Sequence, residues 1–431
     1  MENNTQQKTP FLTLIIVASL ILFVSLPAIV LVNAGLIQFT IIKLVGPQNV
    51  TAMYSLAAGI SGVAIVVMNP IGGFLADKTR LKFGRRKTWI VGGSIFGGLS
   101  MIVLAYAPSI PVLILAYILI QFFYGMVFLS CYAMVPEQVD PSKFGKISGF
   151  FGAAGPLGIM VGFMLVGAYA EVPVEKKLMV IAAVQLLVSL ISVLFLKDNC
   201  YQSNRLDKQD KNFIKGLKNF YPNVKKYPNF TWALLTKLLM AMANSSLNIM
   251  TLYYIARFQL GEVEIMKLNA TTSSAILLTV GSGILGGFLS DKFKKQKVFV
   301  IGSALLSGAC LVGFGITHNL TFVIIAYFMF NFVYGIFGAV DNALVNRVLP
   351  SKEDAGKDIA IINTTTQLGS AIVSFATPVV LSMGISMIGG DGYTVYFIVL
   401  AVTTVLAALT VLPIPEIGSS QSENNSEIVT E

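Results

Sequence analysis

Apolar residues run along this chain in blocks of about 20 or more, with neither the period-two alternation of a half-buried strand nor the narrow stripe of a soluble amphipathic helix. Twelve blocks stand out, near 11–42, 50–76, 88–107, 111–134, 147–170, 177–197, 230–257, 268–290, 298–317, 320–346, 358–386 and 391–412. Each is long enough to cross a hydrocarbon core at 1.5 Å per helical residue. The blocks are rich in Gly, Ala and Ser, which let backbones approach closely, so the pattern predicts packed helices rather than barrel strands. A short polar tail, 1–10, precedes the first block, and no small-residue cleavage site follows it, so that block is expected to stay as an anchor. The longest polar interval, 198–229, divides the pattern into bundles over 11–197 and 230–412, and the Ser-, Asn- and Glu-rich tail 413–431 is expected to be disordered.

Composition agrees with that picture, since hydrophobic residues are 55% of the chain and charged residues only 12%. The fold class expected is an all-α membrane protein of twelve transmembrane helices in two six-helix repeats. Of the 30 Lys and Arg residues, 24 fall on the side that holds the termini and the loops after even-numbered blocks. The other side holds Lys43, Lys176, Lys177, Arg257 and Lys267, and Lys237 lies inside a block. The positive-inside rule then places both termini in the cytoplasm and the protein in the cell membrane. The net charge of +9 is thus mostly topological, and nucleic acid is excluded as a partner because the basic residues sit in short loops. Cys131, Cys200 and Cys310 lack metal-like spacing, so neither a disulfide nor a metal site is expected, and no cofactor is implied. The single histidine, His318, has no nucleophile or metal cluster in sequence around it, which argues against an enzyme. Within 198–229, Phe213, Ile214, Leu217, Phe220 and Tyr221 share one helical face beside Lys211, Lys215 and Lys218, as in a helix lying on an anionic leaflet.

The charges between the second and third blocks have a counterpart. Gly72-Gly73-Phe74-Leu75 with Asp77-Lys78 reappears as Gly286-Gly287-Phe288-Leu289 with Asp291-Lys292, 214 residues on. Lys87, Gly92, Tyr124 and Gly125 match Lys297, Gly302, Tyr334 and Gly335 at 210, as if four loop residues were missing from the second copy. Near-constant offsets across several landmarks mark two parallel six-helix repeats.

Two six-helix halves, each with a Gly-x-x-x-Asp and basic cluster between its second and third helices, resemble the major facilitator superfamily of transporters. The longer run Asp77-Lys-Thr-Arg80-Leu-Lys-Phe-Gly84-Arg85-Arg86-Lys87, after Asn69-Pro70, is similar to the glycoside–pentoside–hexuronide:cation symporter and sucrose-carrier-like branch. The resemblance implies alternating access and a cytoplasmic gate carried by Gly73, Asp77, Arg80, Gly84, Arg85, Arg86, Asp291 and Lys292. A simpler role for the basic residues is to fix topology and touch anionic lipid. That role leaves the two repeated acids unexplained, because acids contribute little to orientation.

Intramembrane polar residues are the candidates for solute and ion binding. Lys237 and Asp341 lie about 10 Å and 8 Å from the cytoplasmic ends of their helices at 1.5 Å per residue, depths that suit a pair. Such a pair would be a proton or gating switch or a static bridge; the alternative is that Lys237 snorkels to the interface and Asp341 only caps its helix end or binds a loop. Asn33, Tyr54, Gln121, Tyr124, Asn244, Asn248, Asn331, Tyr334, Asn363 and Gln367 could together line a wet cavity, although each amide alone could equally bond helix to helix. Asn33 matches Asn248 at 215, and Gln121 matches Asn331 at 210. The resembling symporters carry two acids for Na⁺ on the second helix, where this chain has Ile65 and Asn69, and an acid on the first helix, where it has none. Na⁺ coupling is therefore not expected, and protons or facilitated diffusion are preferred. The reading is a transporter, expected to be monomeric, for a small polar organic solute such as a glycoside or sugar. The competing reading is a proton-coupled exporter of amphipathic compounds, suggested by "GFFGAAGPLGIMVG" at 149–162 and weakened by Gln121, which stands where such exporters carry arginine.

Overall fold

The computed structural model describes residues 8–81, 83–198, 227–348 and 355–415, without the side chains of Asn69, Asp77, Pro141, Asn346, residues 355–360 and Asn363. The amphipathic stretch 213–221 and the tail beyond 415 lie outside the described residues. Among the described residues twelve helices are long and apolar enough to cross a bilayer. Helix is the form an isolated apolar segment takes there, because it satisfies every backbone N–H and C=O within itself.

In the first half these are α1 (Phe11–Val45), α2 (Val50–Lys78), α3 (Arg85–Ala105), α4 (Ile110–Gln138), α5 (Phe144–Ala168) and α6 (Val174–Phe195). The second half has α7 (Pro228–Phe258), α8 (Glu262–Phe293), α9 (Gln296–Ile316), α10 (Leu320–Arg347), α11 (Ala355–Ile388) and α12 (Tyr393–Thr410). Their ends use ordinary signals. Pro111 and Pro228 stand in the first turns of α4 and α7, where a missing N–H costs nothing. Asn319 caps α10 by accepting from the backbone N–H groups of Thr321 (2.9 Å) and Phe322 (3.3 Å). α8 begins at Glu262, six residues before its apolar block, because the polar turn holding Glu262, Glu264 and Lys267 is helical too.

The repeat is visible in the packing. α1 packs on α5 and α6, α2 on α4, and α3 on α4 and α6; in the second half α7 packs on α11 and α12, α8 on α10, and α9 on α10 and α12. The same positions are buried in both cores. Ile90 and Val127 lie in the first core and Val300 and Phe337, 210 residues on, in the second; Ile15 and Ala18 correspond to Phe230 and Ala233 at 215.

The chain divides into two compact units, which do not coincide with its two halves. The first joins Met1–Arg205 to Asn248–Ser274, and the second joins Leu206–Leu247 to Ala275–Glu431. The outer part of α8, Glu262–Thr272, therefore packs on α5 inside the first unit. Two helices are broken where this division matters. α1 passes through a π-helical stretch, Val32–Leu36, with Gly35 off the helical path, and α7 passes through a 3₁₀ stretch, Ser245–Ile249.

Candidate functional site

Three polar clusters stand out against the hydrocarbon of the bundle. The first joins the start of α3 to the ends of α4 and α6. Arg86 places Nη2 at 2.6 Å and Nε at 3.1 Å from Glu137 Oε1, and Arg85 also pairs with Glu137. The backbone N–H groups of Arg86 and Lys87 donate to Asp198 Oδ2 at 2.5 Å and 2.9 Å, so a carboxylate from beyond α6 caps the N-terminus of α3. Gly84 has to be glycine for this to happen. Its φ is +114°, and a Cβ there would lie 2.6 Å from the Asp198 carbonyl oxygen.

The second unit carries the same staple in altered chemistry. Gln296 and Arg347 occupy the positions 210 residues after Arg86 and Glu137, and Arg347 Nη1 donates to Gln296 Oε1 at 3.0 Å. Lys87 Nζ reaches the Leu196 carbonyl at 3.1 Å, and Lys297 Nζ reaches that of Leu412 at 2.7 Å. Of the other residues expected at the gate, Gly73 lies within α2, and Arg80, Asp291 and Lys292 are exposed. Asp77 lies on α2, but its side chain is outside the described residues. Glu137, Asp198, Gln296 and Arg347 were not anticipated from sequence, although the 210-residue offset that aligns Lys87 with Lys297 leads from Arg86 to Gln296 and sets Glu137 opposite Arg347.

Burial raises the Asp198 carboxyl above its ordinary value, and the two backbone N–H bonds only partly oppose this. A group whose native value is raised contributes stability that is complete below the unfolded carboxylate value, about 3.9, and is lost as pH rises through the native value. Asp198→Asn, which still accepts both N–H bonds, is therefore expected to melt no lower than the parent at pH 7, while Asp198→Ala loses about 1–2 kcal/mol of capping. Melting curves of both variants at pH 4 and pH 7 check the sign.

The second cluster lies within α7 and α10. Lys237 Nζ is 2.9 Å from Asp341 Oδ2 and donates to Asn342 Oδ1 at 2.8 Å. Asp341 is 0% exposed and the Lys237 side chain 15%, so the carboxylate is fully buried and the lysine mostly so, while Asn342 is exposed. Asp341 Oδ1 has no hydrogen-bond partner among the described residues.

The third cluster belongs to the two helix breaks, within the first unit. A break frees carbonyls from the helical ladder, and side-chain donors have taken them. Gln38 Nε2 donates to the carbonyls of Asn248 (2.9 Å) and Asn33 (3.4 Å). The Tyr54 hydroxyl lies 3.1 Å and 3.2 Å from the same two oxygens. Thr251 Oγ1 donates to the Ala34 carbonyl at 2.8 Å. The side-chain oxygens Asn33 Oδ1 and Gln38 Oε1 are buried and have no protein partner among the described residues. Asn33 and Asn248 thus enter this junction through their backbones, leaving their amides available, and Asn248 is exposed.

The remaining amides divide. Gln121 donates to Ser61 Oγ at 2.6 Å. Asn331 donates to the Tyr327 carbonyl at 2.9 Å and is met by Thr279 Oγ1, so both amides serve helix packing here. Tyr124 is fully buried beneath Gly97 and closed to a solute in this conformation. Tyr334 stacks on Phe330 with ring centroids 6.0 Å apart. Asn244 is half-buried just before the α7 break and Gln367 is exposed on α11, whereas the Asn363 side chain lies outside the described residues.

Comparison with known proteins places this architecture. The sequence profile of the Major Facilitator Superfamily matches residues 13–374. A multi-drug resistance efflux pump PmrA homolog of Lactococcus lactis subsp. lactis (strain IL1403) is 24% identical over 324 residues, 74% of this chain and 76% of that protein. Among solved structures, the nucleoside transporter NupG superposes with a TM-score of 0.69 at 16% identity, over 94% of this chain and 98% of that one. A D-xylose-proton symporter superposes with the same TM-score of 0.69 at 14% identity, over 94% and 98%. At these identities the structural likenesses establish the fold alone.

Proposed function

The chain belongs to the Major Facilitator Superfamily and is a membrane transporter rather than an enzyme, and from that premise we propose that it moves a small polar organic solute, such as a sugar or glycoside, coupled to protons. The observation that carries the reading is the buried Lys237–Asp341 pair. Either charge alone would cost roughly 2.5–3.5 kcal/mol at a helix centre, so such residues persist mainly along ion and substrate paths. A pair that exchanges its internal partner for a proton as the bundle rearranges links proton binding to conformation. The amides of Asn33 and Asn248, whose backbones and not side chains serve the junction among the described residues, supply donors and acceptors for hydroxyl groups. Ile65 and Asn69 stand on the second helix where the resembling symporters carry the two carboxylates for Na⁺.

In this reading the protein works as a monomer in the cell membrane with both termini cytoplasmic, its basic loops touching anionic lipid. Asp77 and Asp291, with Arg80 and Lys292, make the cytoplasmic gate, and the Arg85–Arg86–Glu137 staple holds the first loop in shape for it. A second reading, proton-driven export of amphipathic compounds, is favoured by one observation, the match to the Lactococcus efflux-pump homolog along three-quarters of both chains.

A melting scan of the purified protein against sugars and glycosides, and against amphipathic drugs, with and without Na⁺, separates the two. A ligand at 100 times its Kd adds about 2.7 kcal/mol to the folded state. A shift with a sugar that Na⁺ does not enhance is the expected result. A shift with amphipathic compounds alone replaces import of a polar solute by export.

A further inference from the structure

Within the second unit, Asp341, Lys237 and Asn342 lie in order of depth. The Asp341 carboxylate is fully buried, the Lys237 side chain mostly so, and Asn342 is exposed. An amide and an ammonium that open together on membrane helices mark a wet surface rather than a lipid-facing one. A solute arriving there meets the ammonium first, and the acid stands behind it. The ammonium carries three N–H donors, and among the described residues two are used, on Asp341 Oδ2 and Asn342 Oδ1. The surface also has room. Tyr334, Gly338 and Asn342 follow at four-residue spacing and so share a face of α10, and a Cβ on Gly338 would meet nothing within 4 Å.

Charge decides what that room suits. With Asp341 ionised the pair is neutral and the ammonium is satisfied. A proton on Asp341, whose Oδ1 has no partner among the described residues, leaves Lys237 as a lone positive charge in the bundle. Such a charge costs roughly 2.5–3.5 kcal/mol at a helix centre. A neutral sugar or alcohol does not relieve that cost, and a cationic solute adds to it. A carboxylate on the solute removes it, by accepting the N–H that Asp341 gives up and by returning the loaded site to neutrality. Among the described residues Lys237 on α7 is the one charge that acts on Asp341, and Tyr334 is the neighbouring titratable hydroxyl on α10 itself. α8 and α9 also pack on α10, but Glu262, Glu264, Lys267, Asp291 and Lys292 on α8 and Lys297 on α9 stand in the first or last two turns of their helices.

We propose that Lys237, with Asn342, is the subsite for a carboxylate of the transported solute, and that a proton on Asp341 opens it. The inference rests on the reading of this pair as the coupling site and narrows the solute to a polar organic acid. Proton and carboxylate enter and leave together, so the loaded and the empty carrier cross the bilayer with the same charge.

Melting curves of the full chain in chloride-free buffer at pH 5.5 and pH 7.5 test this with matched probes, gluconate against sorbitol and benzoate against benzyl alcohol, each at about 10 mM. At least one carboxylate should raise the melting temperature, with an affinity about tenfold higher at pH 5.5, while its neutral counterpart does not. Asp341→Asn, which imitates the protonated acid, should bind that carboxylate equally well at both pH values. Lys237→Gln should weaken it at least tenfold, the hydroxyl contacts remaining; if that variant does not fold, the Asp341→Asn comparison decides. No shift with either carboxylate, an equal shift from the neutral counterpart, or an equal shift from chloride would overturn the assignment. A sorbitol shift that is the same in the parent and in Lys237→Gln removes the carboxylate subsite and leaves the polar-solute reading standing. A carboxylate shift that is lost in Lys237→Gln but ignores pH overturns the part given to the proton in both readings.

Discussion

Asp341→Ala is expected to destabilise the protein by about 3–5 kcal/mol and to abolish accumulation of its solute, because the change strands Lys237 inside the bundle. Lys237 would keep only the Asn342 oxygen, a neutral acceptor on the same helix as the lost acid. Lys237→Met combined with Asp341→Asn removes both charges, and it should recover most of the lost stability, since replacing a buried pair by neutral groups is often close to neutral. Transport should behave differently. The double variant is expected to equilibrate solute across proteoliposomes without concentrating it, and to do so at a rate that no longer depends on pH. Recovery of stability without coupling separates a switch from a static bridge. Were the double variant to concentrate solute with the parent pH profile, the pair would be structural and the proton path elsewhere.

Gln38→Ala with Tyr54→Phe is expected to release the junction between the two broken helices. The pair of donors serves the carbonyls of Asn33 and Asn248, and removing both frees two buried acceptors. At about 0.6–1.7 kcal/mol for each hydrogen bond between membrane helices, the combined change is roughly 2 kcal/mol. That is about a thirtyfold shift between closed and open forms of this end of the first unit, since 1.4 kcal/mol is tenfold. Thr251→Cys reports it well, because Thr251 is 2% exposed and its Oγ1 sits on the Ala34 carbonyl while the junction is shut. In a background with Cys131, Cys200 and Cys310 replaced, labelling by an impermeant maleimide should accelerate at least tenfold when both donors are gone. An unchanged rate would mean that apolar packing of Asn248–Ser274 on α1 and α5, and not this junction, holds the end shut.

The fold was legible in the sequence because bilayer physics leaves few alternatives. An apolar block of 20 or more residues has one stable form, and the offset between Ile90 and Val300, or Val127 and Phe337, repeats one packing scheme. Equal depth and the cost of an isolated charge made Lys237 and Asp341 candidates for a pair without deciding that they meet, since either could reach the interface alone; in the structure they are 2.9 Å apart. The breaks in α1 and α7 were not. Gly35 is one of 38 glycines in the chain, most of which pack helices, and nothing local distinguishes the one that redirects a carbonyl. Amides such as Gln121 and Asn331 could not be sorted either, because the same group serves a solute or a neighbouring helix according to what stands opposite it. Glu137 was overlooked for a different reason: it sits inside an apolar helix end, and its partners Arg85 and Arg86 are more than 50 residues earlier.

The membership of Asn248–Ser274 in the first unit bears on how the protein is made. α6 ends at Phe195, but α5, already packed on α1, does not meet its second neighbour until residues 262–272 have been synthesised, roughly 75 residues later. At about 5–20 residues per second, the first bundle waits some 4–15 s in the membrane with the Gly167 face of α5 uncovered. Ribosomal pausing within that window prolongs the vulnerable state, and a chain released before residue 274 is a ready substrate for membrane quality control.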